Sequence, residues 1–296
     1  MYKAALISMM LMSSAAYANP VKVWTDRVSS PPFKTEHIKV QSVENITALD
    51  ERFGGLSALM VNNGVFTSVT DKGHLVQFIN KKFTRVTIKP LLNQNGRPLS
   101  GKKKTDAESL ALAPGGTFYI AFERNHRIQK FDQSGRPVGE PVQLPKAIQA
   151  LSDNGGLEAI ETLQDGRLII LAEGKKGEDQ TSLWVQNAND WQHVSFSLSD
   201  EFRPTGLTRL PDSNDLVLLE RFYTPFSGVR LRLSMLDGET GLRGALLAEL
   251  GPPTAVDNYE GITAYKDKSG STILMLISDD NFNPLQRTLL MKIKLH

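Results

Sequence analysis

Acidic side chains recur along the chain at two positions that repeat about every fifty residues. The first position is occupied in turn by Leu56, Glu108, Glu158, Thr205 and Glu260, at intervals of 52, 50, 47 and 55 residues. The second position is acidic in every repeat: Asp71, Glu123, Glu173, Glu220 and Asp279. Aspartate and glutamate make up 32 of the 296 residues, so composition alone does not explain five acids in five repeats.

Carboxylates that meet at one point can bind a metal ion. Like charges placed opposite one another in a sheet are unfavourable by up to about 1 kcal/mol per pair, so several such pairs need a compensating charge. Calcium accepts about six to eight oxygen ligands in a flexible geometry. We therefore predict a calcium site at Glu108, Glu158 and Glu260, completed by the hydroxyl or carbonyl oxygen of Thr205.

Arginine offers a second way to compensate these acids. Arg124 and Arg221 directly follow acids of the second position, and Arg203 precedes the fourth repeat. The acids could therefore form salt bridges and strand caps instead of a metal site, and the residues alone leave both interpretations open.

The acids lie at the ends of predicted β-hairpins. Apolar runs on both sides of Gly115-Gly116 predict a hairpin in which Glu108 and Glu123 are cross-strand neighbours and Leu110 pairs with Ala121. The same construction around Asp165-Gly166 and Ser269-Gly270 gives two further neighbouring pairs: Glu158 with Glu173, and Glu260 with Asp279. A central hairpin that repeats with a period near fifty residues is typical of propeller blades.

Counting strands predicts an all-β fold, a single β-propeller with five blades, or six as the alternative. The second blade would end in a strand over residues 138–144, and the fifth lacks its last strand. A strand predicted at residues 37–43 can complete the fifth blade and close the ring. In a propeller, the first strand of each blade lines the central channel, so both acidic positions would lie on one face near the axis.

The N-terminus has the pattern of a secretory signal peptide. Lys3 precedes an apolar run from Ala4 to Met12, and Ala16-Tyr17-Ala18 matches an Ala-x-Ala cleavage site. We predict cleavage after Ala18 and a periplasmic or secreted chain, with residues 19–36 as an extended lead-in and residues 37–296 as the propeller domain. The apolar run is too short for a stable membrane anchor.

Composition and motifs exclude several other functions. The chain has no cysteine and a net charge of +2, so we expect neither disulfides nor nucleic-acid binding, and we expect a monomer. The five histidines show no metal-ligand spacing, and no phosphate-binding glycine loop is present. Gly55-Leu56-Ser57 lacks the second glycine of a nucleophile elbow.

Five short segments resemble the bacterial phytase-like propeller family, which is described as having esterase-like activity. They are Gly54-Gly55-Leu56-Ser57, Asp106-Ala107-Glu108-Ser109-Leu110, Gly156-Leu157-Glu158-Ala159-Ile160, Arg203-Pro204-Thr205-Gly206-Leu207 and Asn258-Tyr259-Glu260-Gly261-Ile262. The same segments are similar to the calcium-activated nucleotidases (apyrases), five-bladed propellers with a calcium ion in the central tunnel. That similarity implies the metal ligands Ser57, Glu108, Glu158, Thr205 and Glu260, with Asp71 near the reacting phosphate. The predicted hairpin register instead places Leu56 at the first position.

Together, these features predict a calcium-dependent hydrolase that cleaves a phosphoester or phosphoanhydride of a small substrate. The predicted general bases are Asp71, Glu123 and Glu173, and the predicted phosphate-binding residues are Arg124, Arg203 and Arg221. The alternative is a non-catalytic binding propeller whose central metal is structural.

Overall fold

The computed structural model describes residues 19–296, apart from residues 153, 154, 176, 189 and 200. About 51% of the chain is strand and 4% is helix, which confirms the predicted all-β class. Within the described residues, no helix is long and apolar enough to cross a lipid bilayer. The predicted signal peptide, residues 1–18, lies outside the described part of the chain.

The described residues form twenty strands and two short helices. The strands are β1 (Val21–Arg27), β2 (Ile38–Ala48), β3 (Met60–Asn62), β4 (Val65–Val69), β5 (His74–Phe78), β6 (Arg85–Pro90), β7 (Ala107–Ala113), β8 (Thr117–Phe122), β9 (Arg127–Phe131), β10 (Ala159–Thr162), β11 (Leu168–Leu171), β12 (Gln180–Gln186), β13 (Trp191–Ser197), β14 (Arg203–Arg209), β15 (Asp215–Thr224), β16 (Gly228–Asp237), β17 (Arg243–Leu250), β18 (Tyr259–Lys266), β19 (Thr272–Ser278) and β20 (Leu289–Leu295). The helices are α1 (Lys102–Thr105) and α2 (Lys146–Gln149).

The strands assemble into antiparallel sheets of a repeating pattern. β10–β13 and β14–β17 each form a four-stranded meander, and β7–β9 form a three-stranded one. The remaining strands form one nine-stranded sheet in the order β18-β19-β20-β2-β1-β6-β5-β4-β3. Repeated antiparallel meanders of this kind are consistent with a propeller.

Strands from the two ends of the described chain pair with each other. As the sequence predicted, the strand near residue 40 joins the last one: in the β2–β20 pair, Ile38 lies opposite Leu295. Residues 19–36, predicted only as an extended lead-in, contain β1, which pairs with β2 along its length and places Val21 opposite Val86 of β6. β1 therefore connects two four-stranded groups into the nine-stranded sheet.

The strand predicted over residues 138–144 does not form. This segment makes only two backbone hydrogen bonds to β9, from Val138 N to Lys130 O (2.9 Å) and from Val142 N to Ile128 O (2.8 Å). Gly139 has a φ of 65°, a left-handed conformation that interrupts an extended strand. The side chain of Gln129 donates to the carbonyls of Val138 and Gly139 instead.

The core lies between successive hairpins. Leu75 packs with Phe118 and Ile120 between the first and second hairpins, and Phe66 packs with Ile277 between the last and the first. The first strands β3, β7, β10, β14 and β18 contact one another in that order, and β18 also contacts β3.

Side-chain acceptors link neighbouring first strands. Ala264 N donates to Thr208 Oγ1 at 2.9 Å, and Val61 N donates to Thr263 Oγ1 at 3.1 Å. These bonds connect β14 to β18, and β18 to β3. They satisfy backbone groups that would otherwise be buried without a partner, so they fix how the hairpins sit against one another.

Candidate functional site

Each first strand carries one extra residue near its start. The pairing register shifts at Glu108, Thr205 and Glu260. The pairing register also changes by one residue across Ser57 and across Glu158, so each of these is the extra residue of its strand. Because a β-bulge redirects the side chain of the extra residue, these five residues occupy equivalent places at the same end of their hairpins.

In the first hairpin, the residue equivalent to Glu108 is not the one that was predicted. The hairpin register placed Leu56 there, but Leu56 lies opposite Thr70 and is fully buried in the apolar core. Ser57 is the residue equivalent to Glu108, as the family resemblance implied.

The predicted cross-strand partners of the acids are also wrong. Glu123 N donates to Asp106 O at 2.9 Å, so Glu123 lies opposite Asp106 and not opposite Glu108. In the same hairpin Leu110 pairs with Ile120, one residue away from the predicted Ala121. The physical reason is a three-residue connection, Pro114–Gly116, in place of the predicted two-residue turn, followed by the bulge.

The second position is not acidic in all five repeats. In the fourth hairpin, Pro204 pairs with Glu220 and Arg203 pairs with Arg221, so Arg221 is the residue equivalent to Glu123. Glu220 faces away from the other acids and is fully buried, where it forms an ion pair with Arg243 at 2.6 and 2.8 Å.

Three carboxylates of the second hairpin come together as a group that could hold a metal ion. Asp106, Glu108 and Glu123 each offer one oxygen, and these atoms lie within 4.8 Å of one another. Asp106 is buried and forms an ion pair with Arg124. Sequence reasoning missed Asp106, although its place two residues before Glu108 on an extended strand puts it on the same face.

Further acids lie near this group, and the pKa values of several of these carboxylates are raised. Burial, then the charges of Glu260 and Asp106, raise the pKa of Glu108 well above its usual value. Burial, then the charge of Glu108, does the same to the pKa of Glu158. Burial and the neighbouring Glu260 raise the pKa of Asp279 to about 8. These mutual effects place carboxylates from several hairpins in one electrostatic cluster.

Glu260 has two polar partners near its carboxylate. Asn258 Nδ2 donates to Glu260 Oε1 at 2.9 Å, and Arg221 Nη2 lies 3.8 Å from the same oxygen. Burial raises the pKa of Glu260, while Arg221 and Asn258 oppose that rise.

The two hydroxyl ligands implied by the family resemblance are turned toward backbone. Thr205 Oγ1 donates to Tyr259 O at 3.2 Å, and Ser57 Oγ donates to Gly55 O at 3.4 Å. Both side chains are buried.

Asp71 lies at the edge of the cluster with an unsatisfied oxygen. Its Oδ1 is buried and has no hydrogen-bond partner within the described part of the chain, and burial, then the charge of Asp106, raises its pKa. The adjoining loop is held by Asp280, which accepts from Gly55 N at 2.8 Å and from Thr288 Oγ1 at 2.7 Å. In this loop Asp280 therefore serves to hold the backbone.

A cavity with charged walls adjoins the cluster. It has a volume of about 350 Å³, and its lining includes three cationic side chains, Lys175, Arg203 and Arg221, and two carboxylates, Glu173 and Glu201. Arg203 is fixed by the carbonyls of Phe202 (2.9 Å) and Lys175 (3.0 Å). The structure thus brings together two of the three predicted phosphate-binding arginines, while Arg124 pairs with Asp106 elsewhere. Sequence reasoning did not identify Lys175.

The carboxylate group fits a hard cation. All of its donors are oxygen atoms, which calcium and magnesium prefer. Burial, then repulsion from Glu260 and Asp106, raises the pKa of Glu108, and Asp71 presents a buried oxygen that has no partner among the described residues. A bound cation would relieve the repulsion and satisfy that oxygen.

Comparison with known proteins gives one family. No curated protein sequence matches the chain. Among solved structures, the catalytic domain of the GH62 α-L-arabinofuranosidase from Coprinopsis cinerea is 12% identical with a TM-score of 0.53, covering 92% of this chain and 97% of that one. Glutaminyl cyclase from Myxococcus xanthus is 12% identical with a TM-score of 0.49, covering 94% and 99%.

Hydrazine synthase from Kuenenia stuttgartiensis is 12% identical with a TM-score of 0.41 over 82% of this chain, which spans only 62% of that longer chain. At such identities structural likeness concerns fold and not activity. The model of the phytase-like family, described as "Esterase-like activity of phytase", matches residues 51–282. The chain therefore belongs to the phytase-like family.

Proposed function

We propose that this protein is a metal-dependent hydrolase of phosphoric esters or anhydrides, with calcium as the metal. One observation carries the proposal: a group of carboxylates that fits a hard cation lies beside a cavity lined by Arg203, Arg221 and Lys175. A phosphorylated substrate needs both features, since its charge is neutralised by cations and guanidinium groups. Membership of a family described by esterase-like activity supports the same class of reaction.

Asp106, Glu108 and Glu123 would hold the metal, with Glu158 and Glu260 completing the negative surroundings. When bound, such a cation would neutralise phosphate charge and make a bound water more acidic. Ser57 and Thr205 remain proposed ligands through the oxygen atoms that their hydroxyls or backbone present.

Arg203 and Arg221 would bind the phosphate group, since both line the same cavity. Glu173 lines it as well, so we propose it as the general base that takes the proton of the attacking water while the bond from phosphorus to the leaving oxygen breaks. Asp71 remains the alternative base, whereas Glu123, also predicted as a base, would hold the metal instead. Arg124, because it pairs with Asp106, would position that carboxylate instead of the substrate.

We also propose that the hairpins form five blades of a closed ring. The contact of β18 with β3, the bond from Val61 N to Thr263 Oγ1 and the pairing of β2 with β20 all support closure. In such a ring the bulged residues face the central channel.

The same proposal includes a monomeric mature chain that is exported after removal of residues 1–18. Purification from the periplasm or medium followed by N-terminal sequencing tests export, with Asn19 expected as the first residue. A mature protein that retains Met1 would contradict it.

Hydrolysis of nucleotides, phytate and aryl phosphates, measured with calcium and with a chelator, tests the function. We expect turnover only with the metal. Glu173→Gln should lower kcat by about 100-fold or more with little change in KM, whereas Arg221→Gln should raise KM. Glu140→Gln and Arg97→Gln, at exposed sites away from the cluster, are the matched controls.

A non-catalytic binding protein with a structural metal is the second candidate. It is favoured by the ion pair between Arg124 and Asp106 and by the approach of Arg221 to Glu260, which already compensate part of the negative charge. If calcium raises the melting temperature but none of the phosphorylated substrates is cleaved, this second function replaces the first.

A further inference from the structure

A second cavity lies at the far end of the hairpins, away from the carboxylates. It has a volume of about 750 Å³ and opens between the first hairpin (β3–β4) and the last (β18–β19). Its lining includes Gly64 and Lys268, which belong to the turns of these two hairpins, whereas the acidic cluster lies at the opposite strand ends. We call it the lysine cavity.

The rim of the lysine cavity is strongly basic. Five lysines line it: Lys81, Lys82, Lys266, Lys268 and Lys292. Two acids, Glu44 and Asp267, line it too, so five positive and two negative charges leave three positive charges in excess. None of these five lysines forms an ion pair with a described residue.

The carboxylate of Asp267 accepts hydrogen bonds from residues of its own turn. Its Oδ1 accepts from Ser269 N at 2.8 Å, Ser269 Oγ at 2.6 Å and Ser271 N at 3.1 Å. Asp267 keeps its negative charge, because the hydrogen bond from Ser269 and, more weakly, the charge of Lys292 lower its pKa. Glu44 and Asp267 together balance two of the five lysine charges, so the lining keeps three positive charges in excess.

The floor of the lysine cavity is apolar and rigid. It contains Val61, Phe66, Phe83, Tyr265, Met275 and Leu290. The Phe66 ring lies 5.5 Å from that of Tyr265 and 4.9 Å from that of Phe83. Phe83 has a φ of 54°, which a bulky residue adopts only when its surroundings enforce it. That conformation places its ring in the floor while the preceding lysines reach the rim.

The apolar floor and the ammonium groups at the rim favour different parts of a ligand, one apolar and one negatively charged. A bare inorganic anion would engage the rim and leave the accessible faces of Val61 and Tyr265 in water. A neutral apolar molecule would leave the lysine charges unpaired. Only a molecule with an apolar body and several peripheral negative charges satisfies both surfaces.

We propose that the lysine cavity binds an organic polyanion with a flat apolar body. This site is separate from the acidic cluster and does not depend on the hydrolase function. Ammonium groups at the rim would pair with the sulfonate, carboxylate or phosphate groups of the ligand, and the ring system would lie on Val61 and Tyr265, the half-buried apolar side chains of the floor.

Pyranine, a pyrene that carries three sulfonate groups, is a suitable probe because its fluorescence reports binding. Titrated with the mature protein, it should bind in a saturable one-to-one manner that weakens as salt is added. The double variant Lys266→Gln/Lys292→Gln should bind about tenfold more weakly. The control Lys34→Gln/Lys146→Gln removes the same charge at exposed sites outside the cavity and should change affinity by less than about twofold.

Sulfate as a competitor separates the roles of rim and floor. We expect that displacing pyranine requires a much higher concentration of sulfate than of a competing pyrene sulfonate. Absence of saturable binding, equal weakening in the two double variants, or displacement by sulfate as effective as that by pyrene sulfonates would overturn the proposal. Equal melting temperatures of the variants and the wild type establish that the fold is intact.

Discussion

Position 55 leaves no room for a side chain at the edge of the acidic cluster. Gly55 has a φ of 57°, and a Cβ there would overlap the ring of Phe282 and lie 2.5 Å from Asp71 Oδ1. We expect Gly55→Ala to lower the free energy of unfolding by about 2–4 kcal/mol, the sum of a left-handed conformation and a clash. Urea unfolding measures this.

Gly101→Ala is the matched control for that substitution. Gly101 has a φ of 83°, yet a Cβ there meets nothing within 4 Å, so only the conformational part of about 1–2 kcal/mol should remain. Equal losses in the two variants would show that the close packing of Asp71 and Phe282 on Gly55 is unimportant.

Glu220 differs from the acids of the cluster because its ion pair lies outside the cluster. Its partner Arg243 is only partly buried. Glu220→Gln should lower the free energy of unfolding by about 2–4 kcal/mol because it removes the buried charge that pairs with Arg243, and it should leave calcium affinity unchanged in the folded protein. Isothermal titration at a temperature where the variant is folded checks this, and a large loss of affinity would return Glu220 to the metal site.

Glu108, Glu158 and Glu260 could be identified from the sequence because their spacing repeats and carboxylates are rare in apolar strands. The sequence did not show in the same way that Arg221, and not Glu220, is the residue equivalent to Glu123. Adjacent residues of a strand face opposite sides, so an error of one residue in the hairpin register exchanges the inward residue for the outward one.

At the scale of the hairpin, that register depends on two features that sequence patterns do not specify. One is the length of the connection: Pro114–Gly116 has three residues, whereas a glycine pair suggested two. The other is the bulge at Glu108, which adds a residue to one strand only. Strand positions were largely predictable from apolar alternation, but the offset between paired strands was not.

Thr263 provides a test of how the last hairpin is attached to the first. Its hydroxyl accepts the hydrogen bond of Val61 N at 3.1 Å. Thr263→Val keeps the shape and removes the acceptor, so the free energy of unfolding should fall by about 1–3 kcal/mol. Thr47→Val, at an exposed site of β2, should change it by less than about 0.5 kcal/mol; denaturant titration compares the two, and equal effects would contradict the assigned role.

The acidic cluster influences the stability of the whole molecule. Burial, then the charges of Glu260, Asp71 and Asp280, raise the pKa of Asp279 to about 8, although the N–H of Asn281 opposes that rise. Between an unfolded pKa of 3.8 and about 8, the folded chain therefore binds more protons at this site than the unfolded chain. In that window, stability contributed by the protonated form is lost as pH rises.

Without metal, the melting temperature should therefore decrease by about 5 °C or more between about pH 5 and about pH 8. Calcium added at the higher pH should reverse the decrease, because a ligand that binds only the folded state stabilises it. Calorimetry in a chelator and in calcium measures both effects. A metal-free protein that becomes more stable over this range would contradict the clustering of the carboxylates.

The pairing of β2 with β20 has a consequence for biosynthesis. β2 is translated long before β20, and until β20 is made one edge of β2 has no partner. During that time the exposed edge is open to pairing with other nascent chains, which favours aggregation. Ribosomes that stall before β20 is complete should therefore release fragments that require chaperones, however many of the inner hairpins have already folded.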